Sequence, residues 1–257
     1  MLPRLLRSAP PTAAVRERPS YTPSLVAQAY TGTDVLESLT GAENYRSFLT
    51  GLIDEAARAA SSHRLLDFGA GIGTYAREAR SLGYDVLCVE LDEGHRSQLE
   101  AEGFDAVATL ATVPDASYEA LYSLNVLEHI DDDVGALRDL HRVTAPGGRL
   151  LLYVPAFELL YSHLDRKVGH HRRYVRPQLA QRVGQAGYVV DRCEYADSLG
   201  FVATLAYRLS GLGLGSVMKP ESVAFYDRWL FPLSRKVDRV CRRSFGKNLV
   251  LFAHRPA

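Results

Sequence analysis

The chain has 257 residues, 47% of them hydrophobic, which suits one large or two small domains with a real core. Lys and Arg number 30 and Asp and Glu number 30, so the formal net charge is zero and gives no global reason to expect a nucleic-acid partner. Cys88, Cys193 and Cys241 are few and scattered. They form neither a zinc pattern nor a disulfide framework, which predicts a reducing, cytoplasmic setting.

Residues 1–24 carry basic residues and prolines without a long apolar core, and read as a mobile arm ahead of one domain over 25–257. Ser38 to Arg58 reads as a helix, bearing Leu39, Tyr45, Phe48, Leu49, Leu52 and Ile53. Arg64 to Phe68 is a short buried strand, and Thr74 to Leu82 a helix ended by Gly83. Asp85 to Leu91 reads as a strand, Glu93 to Glu102 as a helix ended by Gly103, and Asp105 to Ala108 as a weak strand. Tyr118 to Leu124 is a further strand, followed by a helix over about Asp132 to Val143. Pro146-Gly147-Gly148 turns into a strand over Arg149 to Val154. Pro177 to Ala186 looks helical, Tyr188 to Tyr195 extended, and Asn248 to Ala253 a last strand. Strand, glycine turn and helix in repetition predict an α/β fold. It is a Rossmann-like, seven-stranded, mostly parallel sheet with helices on both faces and a helical insert before the last strand.

The stretch LLDFGAGIGTY, Leu65 to Tyr75, falls at the first strand-to-helix turn. In open α/β sheets ligands sit beyond the carboxyl ends of the strands at such turns. Glycines there let a backbone approach a ligand without Cβ clashes. A dinucleotide site wants GxGxxG, but Thr74 stands where its third glycine belongs. An acid, Asp67, two residues before the first glycine suits a cationic ligand better than a diphosphate. S-adenosylmethionine carries an ammonium and a sulfonium and no phosphate. Glu90, at the end of the second strand, can accept both ribose hydroxyl protons of either nucleoside, so it does not discriminate.

With these residues in place, the sequence resembles the class I S-adenosylmethionine-dependent methyltransferases. LLDFGAGIG is similar to their first motif, CVELD to their acidic second-strand end, LYSLNVLEHI to their fourth-strand segment, and APGGRLLLYVP to their turn into the fifth strand. These run in order over about 64–155. Outside that core, ESLTGAENYRSFL, YSHLDRKVGHHRRYVRPQL, FYDRWLFPLSRKVDRV and SFGKNLVLFAHRP resemble a bacterial subgroup found near, or fused to, sugar-transferring enzymes. The resemblance implies that Asp67, Gly69 and Gly71 line the methionine end of the cofactor and that Gly73 allows close helix packing. It implies that Glu90 holds the ribose, Leu91 lies along the adenine, and Asn125 and Val126 face the cofactor near its sulfonium. Tyr45 would cover the methionine end; a packing tyrosine is the other reading. Many relatives carry an acid after the third strand that meets the adenine amine. ATLATVPDASYE has none before Asp115, so that contact is not assigned.

Methyl transfer from a sulfonium is an in-line displacement with a neutral leaving group, so the enzyme chiefly positions its acceptor and excludes water. A general base is needed only where the nucleophile must lose a proton. His129 is the first candidate, with loop fixing by Glu128 and His129 as the alternative. In GHHRRY, His170 and His171 are further candidates for proton transfer, and Arg172, Arg173 and Tyr174 for holding the acceptor. The competing reading makes this segment a latch, its arginines paired with Asp131, Asp132, Asp133 or Asp165. Tyr153 and Tyr161 are weaker candidates, read as core or rim. Adjacent histidines point apart, and no His, Asp, Glu or Cys group shows ligand spacing, so no metal is expected. Ser198 to Val217 carries one charge, Arg208. It reads either as a helix covering the pocket or as an interfacial segment with peripheral membrane contact. The expected partner is a small or medium-sized acceptor, with sugar-derived, lipid-linked and natural-product intermediates as candidate classes. A nicotinamide-dependent reductase and a non-catalytic S-adenosylmethionine-binding protein are the alternatives.

Overall fold

The computed structural model describes residues 41–209 and 220–257. The expected arm over 1–24, residues 38–40 of the expected first helix and the end of the Ser198 to Val217 stretch lie outside the described residues; the first helix itself begins at Glu43, after Gly41 and Ala42.

Seven strands form one sheet. They are β1 (Arg64–Phe68), β2 (Asp85–Val89), β3 (Asp105–Val107), β4 (Tyr118–Leu124), β5 (Thr144–Pro155), β6 (Val189–Ala196) and β7 (Asn248–His254), in the order β3-β2-β1-β4-β5-β7-β6. The β1–β2, β2–β3, β1–β4 and β4–β5 pairs are parallel, and β7 runs antiparallel to both β5 and β6. Central strands covered on both faces need continuous apolar runs. Accordingly, Leu150 to Val154 are all buried. Successive side chains still divide between the faces: Leu65 joins the cluster of Leu49, Ile53, Tyr122 and Tyr153, while Leu66 joins that of Leu121, Leu137, Leu140 and Leu152.

The helices are α1 (Glu43–Ala59), α2 (Thr74–Ser81), α3 (Glu93–Ala101), α4 (Asp133–Val143), α5 (His163–Lys167), α6 (Arg176–Gln185), α7 (Ser198–Leu209), α8 (Pro220–Phe225) and α9 (Phe231–Cys241), with a π-helical turn over Tyr226–Leu230. Among the described residues, none is long and apolar enough to cross a membrane. Two differences from the expected elements have local causes. Pro146-Gly147-Gly148 does not precede β5. The strand starts at Thr144, which pairs with Tyr118, and the irregular register before Ala120 accommodates the glycines. The second strand ends at Val89 because Glu90 turns its carboxylate back onto the adjoining loops.

The insert between β6 and β7 docks onto α1. No side chain of its own caps the α1 N-terminus. Asp227 does so from the π-helical turn, accepting from the backbone N–H groups of Asn44 at 3.0 Å and Tyr45 at 2.9 Å. Buried Asp238 of α9 likewise accepts from the N–H groups of Asp197 at 3.0 Å and Ser198 at 2.8 Å, where α7 begins. These two carboxylates fix Tyr45 and the insert above the carboxyl ends of β4 and β5.

Candidate functional site

The order of the strands puts β1 and β4 side by side, with their outgoing connections leaving in opposite directions. A crevice opens at such a switch point. Gly69, Gly71 and Gly73 all have positive φ, of 80°, 54° and 80°. A Cβ on Gly69 would meet Val126 Cγ2 at 2.4 Å, and one on Gly73 would meet Leu99 Cδ2 at 2.5 Å. The turn is thus pressed against the β4 loop on one side and α3 on the other.

Asp67 is 4% exposed, and the Tyr122 hydroxyl donates to it at 3.0 Å. Burial, with the nearby Glu90 charge adding to it, pushes its carboxyl up to about 7. Among the described residues no cation pairs with it. Glu90 accepts from the Gly71 N–H at 2.6 Å through one oxygen and from the Asp92 N–H at 2.8 Å through the other. Each oxygen keeps a second lone pair. Leu91, just beyond, leaves an apolar side chain 47% exposed. A buried acid without a cation, a bare backbone turn, a doubly accepting carboxylate and an exposed apolar face fit a cationic nucleoside.

The end of β4 supplies the facing wall. Asn125 has a positive φ of 55° and donates its N–H to the Tyr153 carbonyl at 2.7 Å. Strain of this kind in a non-glycine residue gathers at functional sites. Tyr45 packs edge-on against Tyr153 and Phe231, and its hydroxyl faces Asn125; burial pushes that hydroxyl up to about 12. Beyond Val126 comes a 3-10 turn over Leu127–His129. Glu128 is fully buried, neither side-chain oxygen has a hydrogen-bond partner, and burial pushes its carboxyl up to about 8. Burial, then the neighbouring His170, pushes His129 down to about 4, so it is a neutral imidazole near pH 7.

GHHRRY is a strap clipped to this turn. The His171 N–H donates to the Glu128 carbonyl at 2.8 Å, and the Tyr174 N–H to the Pro155 carbonyl at 3.0 Å. Arg172 pairs with Asp131 at 3.0 Å and Asp133 at 2.9 Å, and Arg173 with Asp165 at 2.8 Å. Tyr174 is fully buried and donates to Asp133 at 2.8 Å, where Arg182 also lands. His170 Nδ1 sits 2.8 Å from Asp165, while His171 projects outward, its side chain 47% exposed. Burial disfavours a charge on Asp165, yet His170 and Arg173 hold it well below the ordinary carboxylate range. This arrangement favours the latch reading over the expected acceptor-holding role of Arg172, Arg173 and Tyr174. Both guanidinium forks are engaged by protein carboxylates, and the phenol has no exposed surface. Asp133 and Asp165 were legible only as members of an acidic neighbourhood. The divergence of His170 and His171 follows the expectation, but the structure also gathers Glu128, His129 and His170, one ligand atom of each within 4.8 Å of the others. No sequence spacing announced that trio, because 41 residues separate His129 from His170.

A family model described as a methyltransferase domain matches residues 42–192, from the start of α1 into β6. The chain belongs to this methyltransferase family. It is 27% identical over 148 residues to a demethylmenaquinone methyltransferase of Renibacterium salmoninarum, covering 54% of this chain and 61% of that one. The chain therefore spans less than two thirds of that relative's length. It is 31% identical over 173 residues to a malonyl-[acyl-carrier protein] O-methyltransferase of Erwinia pyrifoliae, covering 63% and 65%. Among solved structures, a SAM-dependent methyltransferase from Archaeoglobus fulgidus superposes with a TM-score of 0.55 at 15% identity, over 82% of this chain and 94% of that one. The [4+2]-cyclase SpnF superposes at 0.54 with 19% identity, over 89% and 96%. At these identities the likeness shows the fold of this methyltransferase domain, a Rossmann-like α/β sheet.

Proposed function

We propose that this methyltransferase-family protein transfers a methyl group from S-adenosylmethionine to a small or medium-sized acceptor. One observation carries the reading: a buried Asp67 with no cation beside it among the described residues, at the foot of a glycine turn pinned by Glu90. When bound, S-adenosylmethionine supplies an electrophilic methyl on a sulfonium with a neutral leaving group. Asp67 meets the ammonium, the Gly69 to Gly73 backbone admits the methionine end, and Glu90 accepts from the ribose hydroxyls through its remaining lone pairs. Leu91 covers an adenine face. Asn125 and Val126 hold the wall facing the methyl, and Tyr45 closes the pocket from α1 and keeps water out. His129, neutral at pH 7, is able to take a proton from a hydroxyl or amine acceptor, with His170 and His171 as the alternative bases.

The acceptor belongs to the small-molecule class that the relatives' names describe, with sugar-derived, lipid-linked and natural-product intermediates as the candidates and the cytoplasm as the setting. Leu209, Phe225 and Trp229, 78%, 60% and 61% exposed on the insert, support peripheral contact with an interface where a lipid-linked acceptor would sit. Co-sedimentation with anionic vesicles, lost in Trp229→Ser, tests that contact. A panel of acceptors incubated with the protein and S-adenosylmethionine, read by mass spectrometry for S-adenosylhomocysteine and a methylated product, tests the reaction. Cofactor binding without S-adenosylhomocysteine across the panel would favour a non-catalytic binding protein. Binding of NADH in preference to S-adenosylhomocysteine would overturn the reading.

A further inference from the structure

The geometry points to a divalent-cation site formed by Glu128, His129 and His170, in the buried turn that follows Val126. The first support is an unmet need. Glu128 is 0% exposed and neither oxygen has a hydrogen-bond partner, an arrangement that burial penalises heavily unless a proton or a cation compensates it. The second is the orientation of the histidines. His170 Nδ1 lies 2.8 Å from Asp165 Oδ1, which fixes the tautomer with its N–H toward Asp165 and turns the Nε2 lone pair toward Glu128. Nε2 then stands 3.8 Å from Glu128 Oε1. That is too long for a hydrogen bond. It lies about 0.4 Å beyond the roughly 3.4 Å that separates two tetrahedral ligands, each about 2.1 Å from one ion.

The third support is the outer shell. Metal-bound histidines characteristically donate their other ring N–H to a carboxylate or a backbone carbonyl. His170 does so to Asp165, and the His129 ring is hydrogen-bonded to the backbone at Val168 and Gly169. The two rings meet edge to face with centroids 4.6 Å apart, as two imidazoles around a shared centre do. The ligand atoms of the trio lie within 4.8 Å of one another, so a contraction of up to about 1.4 Å brings them to the roughly 3.4 Å that separates two ligands of a tetrahedral ion.

Two imidazoles and one carboxylate suit zinc, iron(II) or manganese(II) and disfavour magnesium, which prefers an all-oxygen shell. Three protein ligands leave at least one position open. Since Val126 packs against Gly69, that position adjoins the pocket and would receive an oxygen of the acceptor. This last role rests on the methyl-transfer reading; the ion site does not. With an ion bound, His129 and His170 are ligands and not bases, and His171 is the base that remains.

The test uses the full chain without an affinity tag, stripped by chelation and titrated with Zn2+ against a chromophoric chelator, with no nucleoside present. One Zn2+ per chain is expected, bound at least about 100-fold more tightly than Mg2+. Glu128→Gln, His129→Ala and His170→Ala should each weaken Zn2+ by about 100-fold or more. Asp165→Asn should weaken it by about 10- to 100-fold through His170, and His171→Ala by less than about threefold. Co2+ in place of Zn2+ should give a visible spectrum that Glu128→Gln abolishes. Glu128→Gln keeps the shape of the side chain, so it remains informative if a histidine variant fails to fold. Failure of the wild type to hold stoichiometric Zn2+, or Glu128→Gln binding within threefold of wild type, overturns the site. Calorimetry with S-adenosylhomocysteine on the metal-free protein reads the nucleoside proposal separately, so either can fail alone.

Discussion

Asp67 should make nucleoside binding depend on pH, and the dependence can be worked from its surroundings. Burial holds its carboxyl near 7 in the free protein, with Tyr122 donating and no cation nearby among the described residues. To meet the ammonium of S-adenosylhomocysteine it must be ionised. The competent fraction is 1/(1 + 10^(pKa − pH)), so affinity should rise about 25-fold between pH 5.5 and 7.5, about 1.9 kcal/mol, and level off above that. Asp67→Asn should bind about tenfold or more weakly at pH 7.5 and show no such rise. The same shift has the opposite sign for the stability of the free protein. The folded pKa is raised above its unfolded value of 3.8, so the contribution is full below about pH 4 and is lost as pH rises through 7. The loss is roughly 3–4 kcal/mol, and Asp67→Asn should remove it. Calorimetric titrations at four pH values with matched thermal melts read both. An affinity flat across pH 5.5 to 7.5 in the wild type, or an equal rise in Asp67→Asn, would refute the argument.

Glu90→Gln turns one of two accepting oxygens into a donor facing a backbone N–H, so S-adenosylhomocysteine binding by calorimetry should weaken by about 1–3 kcal/mol. Gly73→Ala places a Cβ at a φ of 80°, 2.5 Å from Leu99 Cδ2, and should cost roughly 2–4 kcal/mol in denaturant unfolding. Asp133→Ala removes the shared partner of Tyr174, Arg172 and Arg182. Stability should fall by about 2–4 kcal/mol, less than a fully buried pair because Arg182 stays partly solvated. Affinity of that folded variant for S-adenosylhomocysteine should stay within about threefold. A loss of nucleoside binding with unchanged melting would instead make Asp133 part of the pocket.

The sheet was legible because its signals are local. A run such as RLLLYVP suits a strand covered on both faces, and the glycines after β1 and just before β2 and β3 mark where the chain must turn. The grouping of Asp67, the glycines and Glu90 was legible for the same reason: they sit at the ends of adjacent parallel strands, so their places in the chain fix their places in space. What was not legible depends on pairs far apart in sequence. Nothing near Tyr45 says that Asp227 caps its helix from 182 residues away. The apparent promise of Arg172 and Arg173 as acceptor ligands vanished once Asp131, Asp133 and Asp165 arrived beside them. An arginine's availability depends on its neighbours in space, which the residue type alone does not reveal.

The strap and the buried trio bear on each other physically. Along GHHRRY the side chains take different directions. His170 turns inward to Glu128, His171 outward, Arg172 to the Asp131 and Asp133 side, and Arg173 back to Asp165. Two of these residues, His170 and Arg173, converge on the same Asp165 carboxylate, which also caps α5 by accepting from the Ser162 N–H at 2.8 Å and hydroxyl at 2.7 Å. Asp165 is therefore held in place by contacts that owe nothing to His170, and His170 in turn inherits a fixed ring orientation. A histidine held only by its own backbone would sample several rotamers, and its lone pair would seldom meet Glu128. The ion pairs of the strap thus serve as more than fasteners. Through Asp165 they hold the His170 imidazole with its second nitrogen toward Glu128, which is what a preorganised site requires of its supporting shell.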